Sequence, residues 1–251
     1  MNTSSTQTTD TIETIETTIA GKPVSFVFTS AAGLRPFVKA VLEGEDYPLV
    51  YPGIYRPERL VDIGAHAGAA TVYLKAHYPE MQVACFEPCK DSFANLGVNT
   101  RELEHVKLHN RALADETGHA QLFSGQYSSM QHSLKPNAEN TDEFEWVSVL
   151  GAEEALEALG WDHISLLKID TEGCEIEILT AIADRLPQID VIYLEYHSEG
   201  DRLALDALLA PHFVLYAARA HEPHRGTNTY VRREVFETCS KALQALYVHP
   251  K

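Results

Sequence analysis

At 251 residues the chain suits one α/β domain, or one domain with additions, and its core can be large without disulfide or metal staples. A formal charge of −16 argues against a nucleic-acid or acidic-membrane partner, because phosphate binding needs clustered Lys and Arg. No apolar run reaches membrane-spanning length, and the start lacks a basic-then-apolar signal pattern. Cys85, Cys89, Cys174 and Cys239 fit no metal or disulfide spacing, so reduced thiols and a cytoplasmic setting are expected.

Residues 1–18 are dominated by Thr and Ser and read as a flexible leader. Ile12, Ile15 and Ile19 stand at helical spacing, but Thr is a poor helix former, so a docking helix is the lesser alternative. Residues 19–58 read as a cap segment, with a strand at Val24 to Phe28, a helix at Leu34 to Leu42, and breaks at Pro48, Pro52 and Pro57.

From residue 59 to 251 apolar runs alternate with helical stretches, the pattern of βαβ units in one domain. Main strands are expected at Leu60 to Ile63, Gln82 to Glu87, His105 to His109, Ile164 to Asp170, Val191 to Tyr196, Phe213 to Ala217 and Thr229 to Arg232. Helices are expected at Ala69 to Tyr78, Asp91 to Asn99, Ala152 to Leu159, Cys174 to Leu186, Arg202 to Leu209 and Val235 to Tyr247. Residues 118–123 and 144–150 are strand-like pieces around a polar loop. The last two main strands have no helix between them, which predicts a terminal antiparallel hairpin on an otherwise parallel seven-stranded sheet.

Leu60-Val61-Asp62-Ile63-Gly64-Ala65-His66-Ala67-Gly68 is a buried strand, a glycine turn and the start of a helix. Such a unit at the carboxyl edge of a parallel sheet commonly holds a nucleotide cofactor. The dinucleotide fingerprint G-x-G-x-x-G is incomplete here, because its positions fall on Gly64, His66 and Ala69. The Asp62 carboxylate before the turn suits a ligand with a cationic part, and S-adenosylmethionine carries an ammonium, a sulfonium and no phosphate. Glu87 ends the second main strand 23 residues after Gly64, where an acid can accept both ribose hydroxyls of an adenosine. Asn110 and Ala112 follow the third main strand, where a side-chain amide and a backbone N–H could read an adenine edge, or where Asn110 simply makes a turn.

Lys168-Ile169-Asp170-Thr171-Glu172-Gly173 is the densest polar group at a strand end, costly to bury unless paired or bound to something. Glu195 and His197 share a side of the fifth main strand. With Asp170 they form a set that could hold Mg²⁺ or another hard divalent ion. The same residues could instead act without metal, with His197 as base toward a hydroxyl, or form an ion-pair belt. The long polar stretch Tyr127 to Ser133 and the segment His221 to Asn228 read as lid or binding loops, with His132 the stronger and His221 and His224 the weaker site candidates.

Leu60–Gly68, Phe86-Glu87-Pro88, Asn110-Arg111-Ala112-Leu113 and Leu167–Glu175 fall in the order and spacing of FkbM-type methyltransferases, and the chain resembles that family from about Leu60 to Arg232. The paired Ser128 and Ser129 and the later Glu195 are similar as well; His66 stands where the family usually has Asn. The resemblance implies a Rossmann-like class I methyltransferase fold, with residues 59–251 as the methyltransferase domain. It also implies transfer of a methyl group from S-adenosylmethionine to a hydroxyl of a sugar or secondary metabolite. On that reading the cofactor is bound or framed by Asp62, Gly64, Ala65, His66, Gly68, Glu87, Pro88, Asn110, Ala112 and Asp170. Ser129, His132, Glu172 and Tyr196 face the acceptor, and His197, Asp170 and Glu195 carry the chemistry, with or without a divalent metal. A homodimer is compatible with this reading. Two alternatives are a cofactor-binding protein of the same fold without catalysis and an NAD(P)-dependent oxidoreductase, against which the missing glycines argue.

Overall fold

The computed structural model describes residues 11–30, 34–125, 132–136 and 140–248. Its centre is a sheet of seven strands: β3 (Arg59–Ile63), β4 (Gln82–Phe86), β5 (Val106–His109), β9 (Ile164–Ile169), β10 (Ile189–Tyr196), β11 (Phe213–Glu222) and β12 (Arg225–Arg232). They lie in the order β11-β12-β10-β9-β3-β4-β5. β5, β4, β3, β9 and β10 are mutually parallel, whereas β12 pairs antiparallel with both β10 and β11. These are the seven main strands expected from the sequence, closed by the expected hairpin.

Strand alternation explains the layers. Leu60, Val83, Leu166, Val191 and Tyr193 face one core, shared with α1 (Leu34–Leu42), α2 (Ala69–His77), α3 (Lys90–Thr100) and α7 (Arg233–Val248). Val61, Ile63, Phe86, Leu167, Ile169 and Ile192 face the other, under α4 (Ala152–Leu159), α5 (Glu175–Ala181) and α6 (Glu199–Leu209). Because both faces are covered, β9 is buried along its whole length and its sequence is a near-continuous apolar run.

Two smaller sheets accompany the central one. Strands β6 (Ala112–Ala114), β7 (Gly118–Gly125) and β8 (Asn140–Gly151) form a three-stranded sheet in the order β6-β8-β7. Strands β1 (Thr11–Ile19) and β2 (Lys22–Ser30) form an antiparallel hairpin, turned by Ala20 and Gly21 at positive φ. Of the leader expected at 1–18, residues 11–18 are strand, neither flexible leader nor docking helix, and residues 1–10 lie outside the described residues. Their inward positions are Glu13, Ile15, Thr17 and Ile19, a period of two that leaves Ile12 exposed, and β-branched Thr suits a pleated surface. The helix expected at 174–186 is shorter: α5 ends at Ala181 and a 3-10 turn over Ala183–Gln188 takes in Pro187. Among the described residues no helix is long and apolar enough to cross a membrane.

From β3 the chain runs outward to β4 and β5, then returns to build β9 and β10 on the other side. The strand order thus reverses between β3 and β9, and ligands in open α/β sheets bind outside the carboxyl ends at such a switch point.

Candidate active site

A cleft of about 610 Å³, its open mouth included, lies at that switch point. Its floor is the end of β3 (Ile63, Gly64, His66), one wall the end of β4 (Phe86, Glu87, Pro88), and the other wall Asp170, Thr171 and Glu172 after β9. Ala112, Leu113, Leu122 and Leu134 make an apolar side beside Pro88, and His132 borders it.

Gly64 is forced by close approach. At φ +72° its Cα packs against the Asp170 carbonyl, and a Cβ would overlap that oxygen. Its N–H and that of Ala65 donate to the Phe86 carbonyl, which ties β3 to β4. His66 also has positive φ, +49°, a conformation Asn and His tolerate better than most residues. That conformation aims the His66 N–H at Glu87 Oε2, 2.7 Å away, while the Cys89 N–H donates to Oε1 at 2.8 Å. Each carboxylate oxygen retains a second acceptor position. Burial raises the Glu87 carboxyl to about 7, against the pull of those two N–H groups and Lys168. The His66 ring is pushed down to about 4 by burial, by His132 and by Lys168, so it is neutral near pH 7.

Several expected cofactor contacts are not in the cleft lining. Asp62 is fully buried within β3, in register with Lys168 of β9. Its Oδ2 accepts from Thr71 at 2.7 Å and its Oδ1 lies 3.3 Å from Lys168 Nζ, so its charge is met inside the protein. Ala65 is buried under the turn. Gly68, at φ +90°, opens α2 and packs on Leu96, whose Cδ1 would lie 2.6 Å from an added Cβ. Asn110 is exposed, and its amide N–H groups are committed to the Glu87 and Pro88 carbonyls at 2.9 and 3.0 Å. Gly64, His66, Glu87, Pro88, Ala112 and Asp170 do line the cleft.

Lys168 is a buried cation between two acids, 3.3 Å from Asp62 and 3.4 Å from Asp170. Tyr47, from the segment before β3, donates to Asp170 Oδ2 at 3.0 Å. Burial alone would raise Asp170, but Lys168, a hydrogen bond with Glu195, His197 and Tyr47 outweigh it and hold its carboxyl below the usual range. Glu195 goes the other way: burial and then the Asp170 charge push its carboxyl far up.

His197 lies between two further acids, with Nδ1 3.5 Å from Glu172 Oε2 and Nε2 3.4 Å from Glu175 Oε1. Arg225 of β12 reaches the same place, its Nη2 3.2 Å from Glu172 Oε2 and 2.9 Å from His197 Nδ1. Burial works against a charged ring, but Glu175, Glu172 and Asp170 prevail and raise His197 to about 9. The Arg225 guanidinium can only donate, so its 2.9 Å contact requires an unprotonated Nδ1, whereas the neighbouring carboxyls favour the imidazolium. With Nδ1 facing Arg225 and Nε2 facing Glu175, the ring turns neither nitrogen to the acceptor as the base expected of it would.

The set expected to hold a metal also differs. Glu172, Glu195 and His197, rather than Asp170, bring ligand atoms within 4.8 Å of one another. With the Arg225 guanidinium already among them and Asp170 paired to Lys168, these residues do not fit a hard divalent ion, which needs anionic oxygens free of other cations. Tyr196 packs in the core beside α6, its hydroxyl against Gly226, and is not part of the cleft lining. His221 stands 3.4 Å from Asp46, and His224 sits in the β11–β12 turn. Ser129, with Ser128, lies outside the described residues. Tyr47, Glu175 and Arg225 were not singled out from sequence. Only Glu175 carries a local signal there, as an acid opening a helix.

The strand order, the glycine turn and the acid at the end of β4 define a Rossmann-like α/β fold with a cleft at its switch point. The family model described as "Methyltransferase FkbM domain" matches residues 62–215, and the chain belongs to that family. It is similar to "Methyltransferase sdnD" of Sordaria araneosa, 27% identical over 60% of this chain and 71% of that one. It is also similar to "2-O-methyltransferase NoeI" of Sinorhizobium fredii, 24% identical over 63% of this chain and 73% of that one. Among solved structures, a precorrin-6y C5,15-methyltransferase of Geobacter metallireducens matches at TM-score 0.45 and 12% identity over 82% of this chain and 94% of that one, too loose to argue from.

Proposed function

We propose that the protein transfers the methyl group of S-adenosylmethionine to a hydroxyl of a small molecule such as a sugar or secondary metabolite. The observation that carries this reading is Glu87, fixed at the cleft rim by two backbone N–H groups with acceptor positions to spare. It would take the ribose hydroxyls, and Pro88, Ala112, Leu113, Leu122 and Leu134 offer an apolar slot for the base. S-adenosylmethionine supplies an electrophilic methyl on a sulfonium. The protein's part is to align acceptor oxygen, carbon and sulfur, which accounts for much of the acceleration in such displacements. The ionised Asp170, the one carboxylate of the wall kept charged by Lys168, suits the cationic end of that cofactor. A relative named as a 2-O-methyltransferase supports oxygen as the acceptor atom. The chain's formal charge of −16 favours a small acceptor over nucleic acid.

The test is transfer of radiolabelled methyl from S-adenosylmethionine to a panel of methyl glycosides, catechols and secondary alcohols, with product structure by mass spectrometry and NMR. A methyl ether is expected. Label on nitrogen or carbon would contradict oxygen transfer, and binding of NADH in place of S-adenosylmethionine would contradict the reading altogether.

A further inference from the structure

An alcohol is a poor nucleophile, so the proposed reaction needs a group that takes its proton. The titratable side chains lining the cleft are His66, Glu87, His132, Asp170 and Glu172. His66 belongs to the turn that grips Glu87, and Glu87 sits at the sugar end. Asp170 is tied up by Lys168 and Tyr47. Resting on the O-methyltransferase reading, we propose that Glu172 is the general base of the reaction and that His197 and Arg225 position it.

Three features fix this carboxylate. Glu172 is a non-glycine residue at φ +56°, and Gly173 follows at φ +118°, so the chain turns sharply out of β9 and brings the side chain to the cleft wall. Ser133, fully buried, donates from Oγ to the Glu172 carbonyl at 2.6 Å and pins that turn to the segment bearing His132. The contacts of the carboxylate, Arg225 at 3.2 Å and His197 at 3.5 Å, both fall on Oε2. Among the described residues Oε1 makes no such contact. His197 is itself clamped on its far side by Glu175, whose Oε1 also accepts from the Thr171 and Gly173 N–H groups at 2.9 and 3.2 Å.

The groups facing Glu172 poise it electrostatically. Burial is the largest influence and raises the carboxyl to about 7, with His197 and Arg225 pulling down and Asp170 and Glu175 pushing up. A base is most effective when its pKa lies near the working pH. In the step itself the acceptor oxygen forms a bond to the methyl carbon as the carbon–sulfur bond breaks, and that bonding pair stays on sulfur. The hydroxyl proton passes to Glu172, which later releases it to solvent. The products are an ether and a neutral thioether.

The test uses the full chain with whichever hydroxyl acceptor it methylates. Glu172→Gln should lower kcat by roughly a hundredfold or more, leave the calorimetric affinity for S-adenosylhomocysteine and the acceptor KM within about twofold, and flatten the acid limb of the kcat profile taken at saturating S-adenosylmethionine, where the titration of Glu87 no longer shows. His132→Gln should leave that limb where it is, whereas His197→Gln should keep it but move it to higher pH, because His197 holds the Glu172 carboxyl down. Near-normal kcat in Glu172→Gln, or loss of the limb in His132→Gln instead, would overturn the assignment while leaving the functional reading intact. A wild-type chain that methylates no hydroxyl overturns the reading and this proposal with it. Infrared difference spectra of wild type against Glu172→Gln, both with S-adenosylhomocysteine, read the carboxyl without any acceptor. A carboxyl that ionises above the ordinary glutamate range is expected, and one that stays protonated throughout the active pH range would overturn the proposal.

Discussion

The Cα of Gly64 lies so close to the carbonyl oxygen of Asp170 that no side chain fits between them. This contact joins the two strands at which the sheet reverses, because the Asp170 N–H also donates to Ile63 O at 3.1 Å. Gly64→Ala should separate them. The positive φ alone costs roughly 1–3 kcal/mol for a non-glycine residue, and the overlap adds to it. We expect a lower denaturation midpoint and loss of S-adenosylhomocysteine binding; a variant with unchanged midpoint and affinity would refute the close-approach argument.

Lys168 neutralises two acids at once, so its removal should cost more than a surface ion pair. Lys168→Met would leave Asp62, wholly buried, and Asp170 facing each other without a cation. Breaking a buried pair by deleting one partner typically costs about 3–5 kcal/mol. Urea denaturation of the variant at pH 8 measures this directly, and a loss below about 1 kcal/mol would mean that the cluster is already relieved by water.

Glu87 ties cofactor affinity to pH. Its carboxyl is raised to about 7, and only the ionised form offers acceptors on both oxygens. Protonation below that value removes an acceptor, so affinity for S-adenosylhomocysteine should rise as pH increases through about 7 and level off above it. Glu87→Gln should weaken binding by roughly 10- to 150-fold, the equivalent of about 1.5–3 kcal/mol for a charged hydrogen-bond partner, and abolish the pH dependence. Binding that is flat in the wild type from pH 6 to about pH 8 would refute the role given to this residue.

What the sequence made legible is what local pattern encodes. The β3 turn and the acid ending β4 are each set by a few adjacent residues, and both stand in the structure where the periodicity put them. Asp62 shows the limit: alternation places it on the face toward Thr71, while the register with Lys168 is a pairing between strands more than 100 residues apart. Tyr47 and Arg225 reach the site from the segment before β3 and from the terminal hairpin, with no spacing signal to announce them. The first strand was missed for a different reason. Its Thr- and Ser-rich composition reads as a leader, its isoleucines at 12, 15 and 19 mimic a helical period, and only packing against β2 shows that the inward face repeats every second residue.

The guanidinium of Arg225 bears on metal dependence. With that cation already 3.2 Å from Glu172, methyl transfer should persist in excess EDTA, and added Mg²⁺ should change the rate little. Loss of activity on chelation that Mg²⁺ restores would contradict this and would return Glu172, Glu195 and His197 to consideration as ligands.

The most direct trial of the central claim is calorimetric titration of the full chain with S-adenosylhomocysteine at about pH 8, where Glu87 is ionised. One saturable site per chain is predicted, weakened in Glu87→Gln and absent in Gly64→Ala. No measurable binding by the wild type, or binding that Glu87→Gln leaves untouched, would contradict the account.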